Sequence, residues 1–488
     1  PSLASSLNNL ALLLKNQGKL LQAEQLYMRA LNIRENSFGQ NHPDVSNSIN
    51  NLAGLYLEQD KFEAAASLYE RALRIEEEVF GPKHANVSLI LNNIGTAYVE
   101  QKKYAQAEPV LLRSLAIAEN IFGSEHPELV SGLHNMALLY YGQDRYEEAE
   151  AIYKKVLEIA EKTFGSNHFL LVSTLRNRSL LYQAMGREVD ALTDIRRASR
   201  IAKIYKQSIE MSKIDQRFDE YSSRDVFLFH LKLLVQSSKA SNGHEVLSET
   251  FEAVQMSSDN TLGATIHQMT ARLGSSTSEI AHIIRRRQDT ALNWAKLDRA
   301  LISAFGKPID ERDKLLESQY AKQLEVNAKL LRELDNELSV SFPKLSELTS
   351  PQPLSLSDTQ DLLGLNEGLF TFVSDEETEA TYAFMVTKDD ARAYKVDLSE
   401  AQIAEIVSTL RAGIDISNSF GIGDLPNFDM NLSYDLYSRL FGPAEDMLNG
   451  VEHLLVVPTG PLESLPLNLL VTEKPEIDPA ASVFDNYQ

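Results

Sequence analysis

Phe38-Gly39-Gln40-Asn41-His42 returns as Phe80-Gly81-Pro82-Lys83-His84, Phe122-Gly123-Ser124-Glu125-His126 and Phe164-Gly165-Ser166-Asn167-His168. The step is 42 residues each time, with no slippage. Asn9, Asn51, Asn93, Asn135 and Asn177 keep the same step, as do Ala23, Ala65, Ala107, Ala149 and Ala191. A fixed period of this length marks an array of supersecondary units. Each is too small to bury its own apolar face and is stabilised by its neighbours.

Within a unit the pattern is that of a helix pair. Leu7, Leu10, Ala11 and Leu14 fall at i, i+3, i+4 and i+7, one helical stripe, and Ile49, Leu52, Ala53 and Tyr56 repeat it. A short polar turn (Asn16-Gln17-Gly18, or Glu58-Gln59-Asp60) leads to a second stripe of Ala23, Leu26, Tyr27, Ala30 and Leu31. Gly39, Gly81, Gly123 and Gly165 stand where a helix C-terminus favours a residue able to take positive φ. Pro43 and Pro127 then open the next helix, where a missing N–H costs nothing. The four periodic histidines stand about a repeat width apart, too far to share an ion. They are read as structural residues between helices, and no metal site is expected.

Positions 5, 9, 12 and 16 run along one side of the first helix, beside its apolar stripe. Position 9 is Asn in every unit, which makes Asn9, Asn51, Asn93 and Asn135 the candidate peptide-binding residues. An amide both donates and accepts, so a column of amides suits the backbone of an extended peptide. The same amides could instead cap or bridge neighbouring helices, and the two roles are compatible.

The Leu7-Asn8-Asn9-Leu10-Ala11 and Tyr69-Glu70-Arg71-Ala72-Leu73 segments, with the Phe-Gly-x-x-His ends, closely resemble tetratricopeptide repeats of the kinesin-light-chain type. The resemblance covers residues 1–200, about five repeats, the last of which decays: Phe-Gly-x-x-His does not return after Ile201. It implies an α-solenoid whose groove binds peptide segments, with the first-helix asparagines at the ligand. The register places Pro1-Ser2-Leu3-Ala4 on Pro43-Asp44-Val45-Ser46, just after the position of a Phe-Gly-x-x-His, and shows no polar-faced cap. A segment of a longer protein is the expectation.

The 488 residues are 43% apolar and 24% charged, a core-forming composition whose length points to about three domains. The net charge of −22 argues against nucleic-acid and anionic-membrane partners, because phosphate contact needs a cationic face. Its distribution is uneven: Asp358–Gln488 carries 24 acidic and 6 basic residues, the preceding 357 residues 45 and 41. No apolar run reaches a membrane span and no signal peptide is visible, so a cytoplasmic location is expected. Cysteine is absent, which removes disulfides, cysteine-ligated metal and any thiolate nucleophile from this chain.

Residues 201–345 lose the period but keep helical patterning with little Gly or Pro, and read as a helical bridge. Arg285-Arg286-Arg287 is its basic run, read as a solvated or salt-bridging face rather than a nucleic-acid contact. Trp294, the sole tryptophan, is spaced for a core. A long charged helix runs through Leu315-Leu316 to Leu338, and Pro343, Pro351 and Pro353 mark a boundary.

Residues 346–488 change texture. Gly368–Val373 and Thr381–Val386 are aromatic and β-branched with Asp375-Glu376-Glu377 between them, a hairpin, and Arg392–Val396 is a third strand. Ala401–Ile414 and Tyr434–Leu448 read as helices. His453–Val457 is a continuous apolar run, the mark of a buried strand, with His453 read as buried and structural. There is no Gly-x-Ser-x-Gly, phosphate-loop or His-Glu-x-x-His motif, and Gly421-Ile422-Gly423 lacks the further glycine of a dinucleotide loop.

Phe342-Pro343-Lys344-Leu345, Pro351–Ser355, Thr381–Thr387, Leu410-Arg411 and the strand-turn from His453 to Leu470 together resemble the CHAT domain, a caspase-like domain found attached to tetratricopeptide repeats. Phe251 and Gln255, Ala271-Arg272-Leu273, and Arg287-Gln288-Asp289 with Trp294 fit the bridge of such proteins. The whole is then a mainly α chain: solenoid, helical bridge and a partial α/β caspase-like (CHAT) domain. The resemblance implies a His/Cys peptidase dyad on segments downstream of the Pro458–Leu467 turn, outside these residues. No catalytic residue, cofactor or metal is therefore assigned, and the chain alone is expected to be inactive. The implied function is the recognition and regulatory part of a caspase-like cysteine peptidase in bacterial signalling, defence or cell death. Its partners would be a protein or peptide in the groove and a protein substrate of the full-length peptidase. The alternative is a non-catalytic scaffold.

Overall fold

Ten helices pair in sequence through residue 209, each pair closed by the same short-range devices: α1 (Ser2–Asn16), α2 (Leu20–Phe38), α3 (Pro43–Glu58), α4 (Phe62–Phe80), α5 (Ala85–Glu100), α6 (Tyr104–Phe122), α7 (Leu129–Gly142), α8 (Tyr146–Phe164), α9 (Leu171–Ala184) and α10 (Glu188–Ile209). The structure, a computed structural model, describes residues 2–209, 223–238, 243–257, 279–307, 311–341, 353–375, 379–414 and 428–475. Two compact units result: residues 1–226 with 262–350, and residues 227–261 with 351–488.

In the first unit the turn inside each pair holds one residue in the left-handed region: Gly18, Asp60, Lys102, Asp144 and Gly186, at φ +71°, +56°, +57°, +59° and +72°. The turn between pairs uses the expected glycines, Gly39, Gly81, Gly123 and Gly165, at φ +82° to +90°. Each periodic histidine stacks on the phenylalanine four residues before it, with ring centroids 4.4, 4.6, 4.9 and 4.7 Å apart. Its Nδ1 accepts the backbone N–H two residues on, as from Asp44 to His42 at 3.1 Å and from Asn86 to His84 at 3.2 Å. At His42 and His84 the motif is thus a helix stop joined to a helix start, with imidazole in the place of the usual N-cap oxygen, whereas α7 and α9 begin three residues beyond His126 and His168.

Burial joins each second helix to the next pair. Ala23 and Tyr27 of α2 share a core with Leu52 and Leu55 of α3, and Ala107 and Leu111 of α6 with Met136 and Leu139 of α7. Ion pairs repeat the step at the surface: Arg71–Glu35 at 2.6 Å, Arg113–Glu77 at 2.5 Å and Arg197–Glu161 at 2.6 Å. Leu3, Leu10 and Leu13 of α1 are exposed, whereas Val45, Leu52 and Leu55, one period on, are covered by the preceding pair.

Two further helices of this unit, α13 (Glu279–Phe305) and α14 (Lys314–Ser341), form an antiparallel pair in which Arg287 faces Asp335 and Asn293 faces Asn327. α13 lies against the ends of the later repeats. His126 Nε2 meets the Lys307 carbonyl at 3.0 Å, and His168 Nε2 meets Asp298 Oδ1 at 2.9 Å, the last two residues both buried. Phe164 packs on Phe305, and Tyr205 on Trp294 with centroids 5.3 Å apart, so the tryptophan has the core role its spacing indicated.

Among its described residues the second unit is a four-stranded mixed sheet between helices. α11 (Ser223–Ser238, from Phe227 onward), α12 (His244–Ser257) and α15 (Leu356–Leu362) precede β1 (Glu367–Asp375), β2 (Ala380–Thr387) and β3 (Ala391–Val396). α16 (Glu400–Ala412), α17 (Met430–Leu440), a 3-10 turn (Gly442–Leu448) and β4 (His453–Val457) follow. The order is β3-β2-β1-β4, antiparallel except for β1 with β4. Phe370, Phe372, Ala383 and Met385 face Ile403, Val407 and Leu410 of α16 and Leu436 and Leu440 of α17. On the other face Phe251 of α12 packs on Phe384, and Gln255 exchanges two hydrogen bonds with the backbone of Leu354, at 3.0 and 2.9 Å.

Three expectations change here. β4 is parallel to β1 but, among the described residues, is an edge strand, with Leu455 55% and Val457 49% exposed. An apolar run reports a strand, not its place in the sheet. His453 is correspondingly exposed rather than buried. The helix expected over Tyr434–Leu448 begins earlier and breaks after Leu440, where Gly442 and Pro443 open a 3-10 turn. The expected features at Phe342–Leu345, Ala271–Leu273 and Gly421–Gly423 lie outside the described residues.

Candidate peptide-binding face

First helices of successive repeats approach one another (α1 with α3, α5 with α7, α7 with α9), and no pair of successive second helices does so to the same degree. The first helices therefore line the inner side of the stack. Positions 5, 9 and 12 of each first helix face away from the shared cores and carry no charge in any of the five repeats. They read Ser5/Asn9/Leu12, Asn47/Asn51/Gly54, Leu89/Asn93/Thr96, Ser131/Asn135/Leu138 and Ser173/Asn177/Leu180. Leu12 and Leu89 are exposed, so the face mixes amides with apolar side chains. Carboxylates enter only at its end, as Glu58 and Glu100, and Lys15 holds the first of these at 2.5 Å.

The amide column divides into two kinds. Asn93 Nδ2 donates to Asn50 Oδ1 at 3.0 Å, and Asn135 Nδ2 donates to Asn92 Oδ1 at 3.0 Å and Thr96 Oγ1 at 2.8 Å. Asn177 Nδ2 continues the series to His134 Nε2 at 3.0 Å. These half-buried amides bridge each first helix to the one before it, the structural role foreseen as the second reading. Their carbonyl oxygens accept no hydrogen bond from the described residues, which leaves an acceptor on each. Asn9 and Asn51 are exposed, and neither half of their amides is engaged by the described residues. One column thus offers two complete amides, Asn9 and Asn51, followed by three acceptors, on Asn93, Asn135 and Asn177.

Asn50, Asn92 and Thr96 belong to this network and were not singled out from the sequence. The doublets Asn50-Asn51 and Asn92-Asn93 were the available signal. His134 sits behind the column, edge-on to Tyr153 with centroids 5.9 Å apart, and burial pushes its imidazole down to about 4. It is neutral near pH 7, as its acceptor role toward Asn177 requires.

The geometry is that of stacked helix pairs with an uncharged, amide-bearing face along the first helices. The family model for the tetratricopeptide repeat matches residues 2–78, 65–120, 86–159 and 128–204, so the array consists of tetratricopeptide repeats. Solved structures similar to this chain include BtubC (BKLC) from P. vanneervenii, at 27% identity over 41% of this chain and 80% of that one, with a TM-score of 0.37. A kinesin-light-chain candidate of Podosopora anserina with nearly identical TPR-like repeats matches at 23% identity over 40% and 93%, TM-score 0.35. YrrB, a TPR protein with an unusual peptide-binding site, matches at 18% identity over 40% and 84%, TM-score 0.26. No curated protein matches significantly. Among the described residues no helix is long and apolar enough to cross a membrane, and no cluster of metal-ligating side chains occurs.

Proposed function

We propose that the first-helix face binds an extended segment of a partner protein. The carrying observation is the amide column, open at Asn9 and Asn51 and half-open at Asn93 and Asn135, on a strip free of charge. An extended chain has unpaired N–H and C=O groups along its length, and amides spaced by the repeat meet them without demanding a particular side-chain charge.

We propose further that this binding recruits or activates a caspase-like domain of the CHAT type, whose N-terminal portion is the second unit, with a protein substrate for the full-length peptidase. This half rests on the sequence resemblance. A helix-flanked sheet in which β4, just before the Pro458–Leu467 turn, runs parallel to β1 is compatible with it. The 488 residues contain no cysteine, so the contribution of this chain is recognition and not thiolate chemistry. That absence equally favours a non-catalytic scaffold, which would use the same face.

A peptide selected from a random library on the 1–488 chain tests the recognition claim. Its bound form should protect α1, α3, α5 and α7 from hydrogen exchange. Protection confined to other elements would overturn it.

A further inference from the structure

The run Arg285-Arg286-Arg287 divides between two tasks. Arg287 is buried and paired through Nε and Nη2 with the Asp335 carboxylate, locking α13 to α14. Arg285 and Arg286 are exposed and line an open cavity of about 540 Å3 between the same helices. His282, Arg286, Asp289 and Asn293 follow at i, i+4, i+7 and i+11, one stripe of α13, with Asn327 and Leu330 of α14 opposite. The volume lies in the range of small-molecule sites, roughly 300–1,000 Å3.

Its chemistry is bipolar. Among the described residues neither the Arg286 guanidinium nor the Asp289 carboxylate has an ion-pair partner, although they stand three residues apart on one helix. The basic end offers a planar fork of donors suited to a phosphate, with the His282 imidazole one turn away. The Asp289 end accepts hydrogen bonds and repels a second anion. Asn293 donates to Asn327 at 3.3 Å across the gap, and Leu330 supplies an apolar wall. With a net charge of −22 on the chain, a long polyanion is repelled while a small one can still be held by close contacts.

We propose that this cavity binds a small phosphate monoester bearing hydroxyl or amino donors, its phosphate at Arg286 and His282 and its donors at Asp289. Nucleotides and sugar phosphates share that chemistry. The site is separate from the amide column and does not depend on the peptide reading.

Calorimetric titration of the full chain with adenosine monophosphate, glucose 6-phosphate and inorganic phosphate tests it. One of the two organic probes should bind saturably and about tenfold or more tighter than inorganic phosphate. Arg286→Gln should weaken that probe about tenfold at unchanged melting temperature, with partial recovery in Arg286→Lys. Asp289→Asn should weaken the organic probe and leave or improve inorganic phosphate. Absence of saturable binding by all three probes overturns the proposal. So does binding indifferent to Arg286→Gln, or inorganic phosphate bound as tightly as the tighter of the two esters.

Discussion

Lys102 carries a side chain at φ +57° in a turn position that Gly18 and Gly186 fill elsewhere in the array. The left-handed region costs a non-glycine residue about 1–2 kcal/mol, less for Asp, which occupies the two remaining turns. Lys102→Gly should therefore raise the stability of the repeat unit by about 1 kcal/mol, offset in part by added freedom in the unfolded chain, as read by chemical denaturation. His134 gives the pH counterpart. Folding lowers its imidazole from 6.5 to about 4, so the unfolded chain binds the proton more tightly. Its contribution is whole above 6.5 and is lost as pH falls toward 4. His134→Gln cannot titrate, and its stability relative to the parent should improve across that window by on the order of 2–3 kcal/mol. A difference independent of pH would show that the imidazole is not held neutral by burial.

At the scale of elements, legibility followed periodicity. The helix pairs, the left-handed glycines and the first β-hairpin could be read because each is fixed by contacts within one repeat or one turn. The histidines were legible as structural, but their capping was not: an N-cap nitrogen two residues from its donor leaves no mark beyond the spacing itself. Nor did any pattern announce that His126 and His168 would meet a helix more than a hundred residues away. β4 failed for a related reason, since a run of four apolar residues specifies a strand but the elements packed on its faces decide which of them is covered. Leu455→Lys should thus cost within about 0.5 kcal/mol, while Val456→Lys, on the side facing the α16–α17 core, should cost more than about 2 kcal/mol. Thermal unfolding of both variants distinguishes an edge strand from a buried one.

For the whole molecule, the repeat array pointed to recognition, and the candidate amides were legible as a column before their partners were. The missing part was the division of labour along that column. It depends on which acceptors the preceding first helix presents to each amide, Asn50 to Asn93 and Asn92 with Thr96 to Asn135. Asn93 and Asn135 are tied to the preceding helix, and replacing them would disturb the stack as well as a ligand. Asn9 and Asn51 carry no such tie, which makes them the cleaner probes. The decisive measurement is the affinity of the 1–488 chain for a library-selected peptide, by fluorescence anisotropy, before and after Asn9→Ala with Asn51→Ala. Loss of two amide contacts at about 1 kcal/mol each predicts roughly a tenfold or greater weakening, with the melting temperature unchanged. An affinity equal to that of the parent would contradict a peptide held along this face.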